Sequence, residues 1–184
     1  PGISDIEYLD KEEHGLCLDD GESSFDLLCS RTDSNEKFIV EMQRSKLEYF
    51  NYRSVYYSSH IVQVQASSER ARQFAECEIS RERKSWNYKF APVVFIGILE
   101  NGMGRRMSMP GDKYLEHYRL LETEDHRDMN VEINFLFLYL DRFEKRAEET
   151  EGLLEQFAYS LKNMGQMDQR PERFDGDEIR KFYE

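Results

Sequence analysis

One continuous apolar run, APVVFIGILE at residues 91–100, constrains the fold of this chain more than any other segment. Its β-branched and aromatic residues favour a strand, and Pro92 opens the run, where a strand tolerates proline. Because both alternating faces of the run are apolar, we expect a strand buried on both sides at the centre of a sheet. Such a strand predicts a domain in which helices cover the sheet.

The sequence around this strand predicts the other strands of the sheet. Period-two patterns mark five further segments, which are residues 4–9, 24–31, 36–43, 114–122 and 131–140. The second and third of these flank the turn sequence TDSN, which indicates a hairpin.

Two helices are expected. The first covers residues 45–65, where Ser45 and Glu48 form the S-x-x-E pattern of a capping box. Its predicted buried stripe is Leu47, Phe50, Ser54, Tyr57, Ile61 and Val64. The second runs from residue 142 to Gly165 and precedes a polar tail. The candidate anchors of that tail are Phe174, Ile179 and Phe182.

The predicted fold class is therefore mixed α+β, with a central mixed sheet flanked by helices and a C-terminal helix. We expect a single domain over residues 1–184, with a core at about 3–145 and a C-terminal helix and tail at 146–184.

The amino-acid composition of the chain limits the classes of function that it can have. The formal net charge is -12, from 37 acidic and 25 basic residues, so the average surface repels nucleic acid. The three cysteines match no zinc-binding spacing and suggest free thiols in a reducing compartment. No apolar run approaches the ~20 residues of a membrane span. The sequence predicts a cytoplasmic protein without a membrane partner.

The predicted hairpin brings acidic residues together. A two-residue turn at Asp33 and Ser34 pairs Asp26 with Glu41, whereas a four-residue turn at 33–36 pairs Asp26 with Gln43. In either register these three side chains share one face. Two facing carboxylates suit a hard divalent cation such as Mg²⁺ or Mn²⁺. A solvated sheet edge or a hydrogen-bonded cluster is the alternative interpretation.

Three segments resemble the PD-(D/E)XK nuclease family transposases, relatives of the bacterial recombination-promoting nucleases. They read FDLLCSRTDSNEKFIVEMQRSKLEYFNYRSVYYSS, WNYKFAPVVFIGILE and INFLFLYLDRFEK. The resemblance covers roughly residues 3–145, is strongest at 25–59, and implies a restriction-endonuclease-like core.

The resemblance also implies a metal-dependent DNA endonuclease that uses Mg²⁺ or Mn²⁺. Asp26 matches the metal-binding acid of the family, and Glu41 matches the second acid of its E-x-Q form. Gln43 takes the position of the usual lysine, and the carbonyl of Met42 completes the implied ligand set. The implied catalytic residues are thus Asp26, Glu41 and Gln43. Glu12 resembles a recurrent family glutamate and is a weaker metal candidate.

Several side chains are candidates for contact with DNA. The basic ones are Arg44, Lys46, Arg53, Arg105 and Arg106. For Arg53, an ion pair with Glu41 or Asp26 is an equally good interpretation. The tyrosines of the first helix, which are Tyr49, Tyr52, Tyr56 and Tyr57, could stack on bases or pack in the core.

One motif departs from the family pattern. Relatives often read E-L-x-K-F late in the domain, where this chain reads YLDRF at residues 139–143 without the glutamate. The alternative function is therefore a catalytically inactive relative that serves as an interaction or scaffold module. A divalent ion between Asp26 and Glu41 would distinguish the nuclease from the scaffold, and a homodimer remains open in both.

Overall fold

The computed structural model describes residues 6–9, 26–80, 88–102, 113–167 and 169–183. Within residues 26–80, side chains are described only as far as residue 75. The elements are β1 (Ile6–Tyr8), β2 (Leu27–Arg31), β3 (Lys37–Gln43), α1 (Phe50–Ser80), β4 (Val93–Leu99), β5 (Leu115–Tyr118), β6 (Ile133–Tyr139), α2 (Gly152–Asn163) and α3 (Asp177–Phe182). Short 3₁₀ turns lie at Ala147–Glu149 and Met164–Gln166. No helix within the described ranges is both long and apolar enough to cross a membrane.

The six strands form one mixed sheet in the order β1-β2-β3-β4-β6-β5. The apolar run forms β4, which lies between β3 and β6 and is buried along its length except at the half-buried Ile96. Two hydrogen bonds, from Lys37 N to Pro92 O and from Glu100 N to Gln43 O, show that β3 and β4 run in parallel. The predicted central strand and the mixed α+β class are both confirmed.

The hairpin of β2 and β3 adopts the first of the two predicted registers. Leu27 pairs with Val40 and Leu28 with Ile39, so the turn centres on Asp33 and Ser34. The turn itself is longer than the predicted two residues, because the N–H of Asn35 donates to the Arg31 carbonyl. Asn35 closes it with φ of 57°, a left-handed conformation that asparagine tolerates.

The described residues form two compact units. The first includes those within Pro1–Glu41, Tyr49–Gly97 and His117–Leu136, and the second those within Met42–Glu48, Ile98–Glu116 and Phe137–Glu184. In the first unit, α1 covers the sheet through an aromatic row in which the ring centroids of Phe50 and Phe95 lie 5.8 Å apart.

Helix α1 has four of the six predicted stripe residues buried, begins later than predicted and, as expected, continues into the charged segment 66–87. Phe50, Ser54, Tyr57 and Ile61 are all at most 3 % exposed. The helix begins at Phe50 rather than at Ser45, so the predicted capping box is wrong, and it continues to Ser80. The polar side chain of Gln65 both donates to and accepts from the backbone of residue 91, which fixes the approach to β4.

In the second unit, the helix predicted from residue 142 forms only over its C-terminal half. Residues 143–151 are extended or 3₁₀ instead, and α2 begins at Gly152, whose φ of 71° lies in the left-handed region. The predicted tail anchors are confirmed for Phe174 and Ile179, which are fully buried against Ala147.

A buried carboxylate holds this segment in place. Glu155 accepts hydrogen bonds from Lys145 Nζ at 2.6 Å, from Tyr114 Oη at 2.5 Å and from the N–H of Glu151 at 2.6 Å. The bonds from Lys145 and then Tyr114 lower the pKa of Glu155 to about 2. The same contact with Glu155 raises the pKa of Tyr114 to about 12.

We predict that Glu155→Gln lowers the free energy of unfolding at pH 7 by about 2–3 kcal/mol, because charge-assisted hydrogen bonds are lost. The folded pKa lies below the ordinary value of 4.5, so the stabilisation is present above pH 4.5 and is lost as the pH falls towards 2. Urea unfolding of both proteins should therefore converge at low pH. The control Glu144→Gln changes an exposed acid, so its unfolding free energy should not differ from that of the wild type in a pH-dependent way. A difference between Glu155→Gln and the wild type that does not change with pH would contradict the assignment.

Candidate active site

Strand β3 carries a carboxylate into the interior. Side chains alternate along the strand, so Ile39, Glu41 and Gln43 share one face while Met42 points to the other. Ile39 is fully buried, Glu41 is 3 % exposed, and Gln43 is half-buried. A buried charge costs several kcal/mol unless another charge compensates it. The chemistry available on this face of the sheet therefore depends on which groups surround the Glu41 carboxylate.

Arg53 of α1 compensates the charge of Glu41. Its Nη2 lies 2.6 Å from Glu41 Oε1, and its Nε donates to Tyr57 Oη at 3.0 Å. Tyr57 is one helical turn further along α1 and is itself buried. Of the two interpretations of Arg53, the structure thus shows the ion pair. Tyr57, a partner that sequence analysis assigned only to stacking or packing, fixes the orientation of the guanidinium.

Asp26 directly precedes the paired residues of the hairpin. It is the exposed residue immediately before β2, and the last pair beside it is Leu27 with Val40, the residue before Glu41. Extending this pairing by one position would put Asp26 across from Glu41, and Cβ atoms of directly opposed residues lie about 4.5–5.5 Å apart on one face of a sheet. The register is thus compatible with one buried and one solvent-accessible carboxylate at the end of the hairpin remote from its turn.

Gln43 is fixed by the turn that follows β3. Its Nε2 donates to the carbonyl and to the hydroxyl of Ser45, both at 3.0 Å. Because a carbonyl only accepts hydrogen bonds, this contact identifies the nitrogen of the amide and leaves its oxygen as the acceptor. Ser45, the residue predicted to cap α1, thus anchors the glutamine instead.

The basic candidates differ in their surroundings. Arg44 lies 3.7 Å from Glu100 in a pair whose side chains are 87 % and 55 % exposed, and such a pair contributes little to stability. Lys46 is exposed at the surface. The candidates Arg105 and Arg106, together with Glu12, lie outside the described residues.

The donor set on this face fits a hard divalent cation. The carboxylates of Asp26 and Glu41 are oxygen donors, which Mg²⁺ and Mn²⁺ prefer. Across the described ranges, no three His, Cys, Asp or Glu side chains group as a metal site. A site here would therefore combine two acids with backbone oxygen and water, and Mg²⁺ commonly keeps several waters in proteins.

A second buried carboxylate, which no sequence motif indicated, lies in the other compact unit. Glu116 is 1 % exposed, accepts from Tyr139 Oη at 2.9 Å and lies 3.1 Å from Arg142 Nη1. The guanidinium of Arg142 also sits 3.9 Å from the centre of the Tyr139 ring. In the YLDRF segment that departs from the family pattern, the tyrosine and the arginine thus have a structural role.

We predict that Arg53→Met lowers the free energy of unfolding by about 3–5 kcal/mol, because it leaves the buried Glu41 charge without its guanidinium. Adding Glu41→Gln to this variant should recover part of the loss, since the charge itself is then removed. Urea unfolding of the two single variants and the double variant measures the coupling.

The matched control is Arg44→Met, which removes an exposed pair and should cost less than about 1 kcal/mol. Strictly additive effects of Arg53→Met and Glu41→Gln would contradict the assigned ion pair.

The chain matches the sequence profile of a known family. The sequence profile of a family described as PD-(D/E)XK nuclease family transposase covers residues 1–184, and so extends beyond the 3–145 stretch noted in the sequence. In the same comparisons, no curated protein and no solved structure matched the chain.

Proposed function

Since this chain belongs to the PD-(D/E)XK nuclease family transposases, we propose that it is a metal-dependent endonuclease that hydrolyses phosphodiester bonds in DNA. The observation that supports the proposal is the hairpin register, because the pairing of Leu27 with Val40 leaves Asp26 and Glu41 as the next residues of the two segments. A solvated edge would not account for Glu41, which is buried and ion-paired.

Asp26 and Glu41 are the proposed metal ligands, with the carbonyl of Met42 as a third. Mg²⁺ or Mn²⁺ bound there would polarise the scissile phosphate and lower the pKa of a bound water. The two carboxylates contribute different properties. Asp26 is reached from solvent, whereas Glu41 is held by the protein in one position.

Gln43 is proposed to orient the attacking water. Its amide nitrogen is directed at Ser45, so its oxygen is the atom available to accept a hydrogen bond from water. A glutamine cannot supply the positive charge of the family's usual lysine. Arg53 carries such a charge 2.6 Å from Glu41, where it acts as a positioning residue for that ligand.

Plasmid cleavage tests this function. We expect the full chain to nick or cut supercoiled plasmid in the presence of Mg²⁺ or Mn²⁺, and Asp26→Asn and Glu41→Gln each to reduce the rate by about 100-fold or more. Loss of a residue that merely supports a metal ligand already costs about 10–100-fold, and these residues are the proposed ligands themselves.

Glu100→Gln is the control for this assay, because Glu100 is an exposed acid outside the proposed ligand set. Equal cleavage by all variants would assign the activity to a contaminant. A folded wild-type protein that leaves the plasmid intact would support the inactive scaffold instead.

Metal binding can be measured separately from catalysis. We predict that Mn²⁺ raises the melting temperature of the wild type, with about 2.7 kcal/mol of stabilisation at one hundred times its Kd. The effect should weaken at acidic pH, because the ligands must be deprotonated to bind the ion. Asp26→Asn should abolish the shift while Glu100→Gln retains it. A wild-type melting temperature independent of Mn²⁺ at neutral pH would rule out the proposed ligand set.

A further inference from the structure

The first half of α1 and Tyr49, the residue just before it, expose aromatic side chains that no part of the proposed chemistry uses. Tyr49, Tyr52 and Tyr56 are 63 %, 71 % and 52 % exposed, whereas Tyr57 is only 3 % exposed. Packing in the core therefore accounts for the tyrosine at position 57. It does not account for the other three tyrosines, because their side chains are exposed.

These three tyrosines form one surface, which we term the tyrosine face. At 100° per residue, Tyr49, Tyr52 and Tyr56 fall within an arc of about 60° that borders the position of Arg53. The carbonyl of Tyr49 accepts a hydrogen bond from the N–H of Arg53 at 3.0 Å, so Tyr49 follows the geometry of the helix that begins after it. The rings of Tyr49 and Tyr52 meet edge to face with centroids 6.3 Å apart.

The sequence around the tyrosine face is poor in acids. One residue in five of the whole chain is Asp or Glu, yet residues 42–68 contain Glu48 as their single acid beside three basic residues, Arg44, Lys46 and Arg53. The segment that carries the face is therefore less acidic than the chain as a whole, which weakens the repulsion of nucleic acid that a net charge of -12 implies. Ser59 and Gln63, also exposed on α1, are polar and uncharged.

We propose that the tyrosine face stacks on unpaired bases of the DNA strand to be cut, so that the protein prefers single-stranded segments to duplex. This inference rests on the proposed nuclease function. Tyrosine rings stack on any base, and the bases of a single strand are available for this, whereas those of a duplex are already stacked on each other. Arg53, which borders the face and holds Glu41, makes the face continuous with the proposed active site.

Binding in EDTA tests the inference without cleavage. Fluorescence anisotropy compares a fluorescein-labelled oligothymidine with a labelled duplex of equal length. The wild type should bind the single strand more tightly. Tyr52→Ala should weaken that binding about fivefold or more, and the triple alanine variant of the face about 100-fold or more, given the size of base–aromatic stacking. Tyr52→Phe should bind like the wild type, because it keeps the ring.

Tyr8→Ala is the matched control, because Tyr8 is 71 % exposed like Tyr52 but lies on β1. Wild-type affinity in the triple variant, or a preference of the wild type for duplex, would overturn the inference. Plasmid cleavage without single-strand binding would overturn it while leaving the nuclease function in place. Single-strand binding that depends on the tyrosines, in a protein that cleaves nothing, would support the inference and remove the nuclease.

Discussion

The ion pair between Glu41 and Arg53 is the contact on which the candidate site depends. It joins β3 to α1 through one bond of 2.6 Å, with Tyr57 holding the guanidinium from the helix side. A carboxylate this deeply buried is stable only while the helix supplies a positive charge beside it. The position of α1 against the hairpin and the ionised state of Glu41 therefore depend on each other.

The same pair gives the site a charge suited to its proposed substrate. Asp26 and Glu41 contribute two negative charges and Arg53 one positive charge, so a divalent cation would leave the cluster with one positive charge. A phosphodiester carries one negative charge, so its binding to such a cluster would neutralise the charge of the phosphodiester and that of the cluster. In the proposed mechanism, Arg53 would supply from α1 the positive charge that a lysine at position 43 would have supplied from the strand.

Sequence patterns predicted the parts of this fold that depend on side-chain alternation. The buried run in β4 and the shared face of Glu41 and Gln43 on β3 follow from the alternation of side chains, which a buried face enforces strongly. Alternation left two hairpin registers open, and the structure shows the one that pairs Leu27 with Val40. The start of α1 did not follow, because Ser45 matches a helix cap but hydrogen-bonds to Gln43. The prediction for the segment before α2 was wrong for a similar reason, since one of the bonds at Glu155 comes from Tyr114, 41 residues earlier in the chain. A local sequence pattern cannot predict a side-chain contact with a residue far away in the chain.

The distribution of charge and aromatic residues on α1 shows why net charge is a poor guide to function here. A net charge of -12 describes the field far from the protein, where salt screens it within about 10 Å. Contacts with a strand of DNA depend instead on the charges within that distance, and on α1 these include few acids. Helical periodicity already assigned Tyr57, but not Tyr56, to the predicted buried stripe. The burial of Tyr57 and the exposure of Tyr56 confirm that division of the helix into a face that packs and a face that can bind.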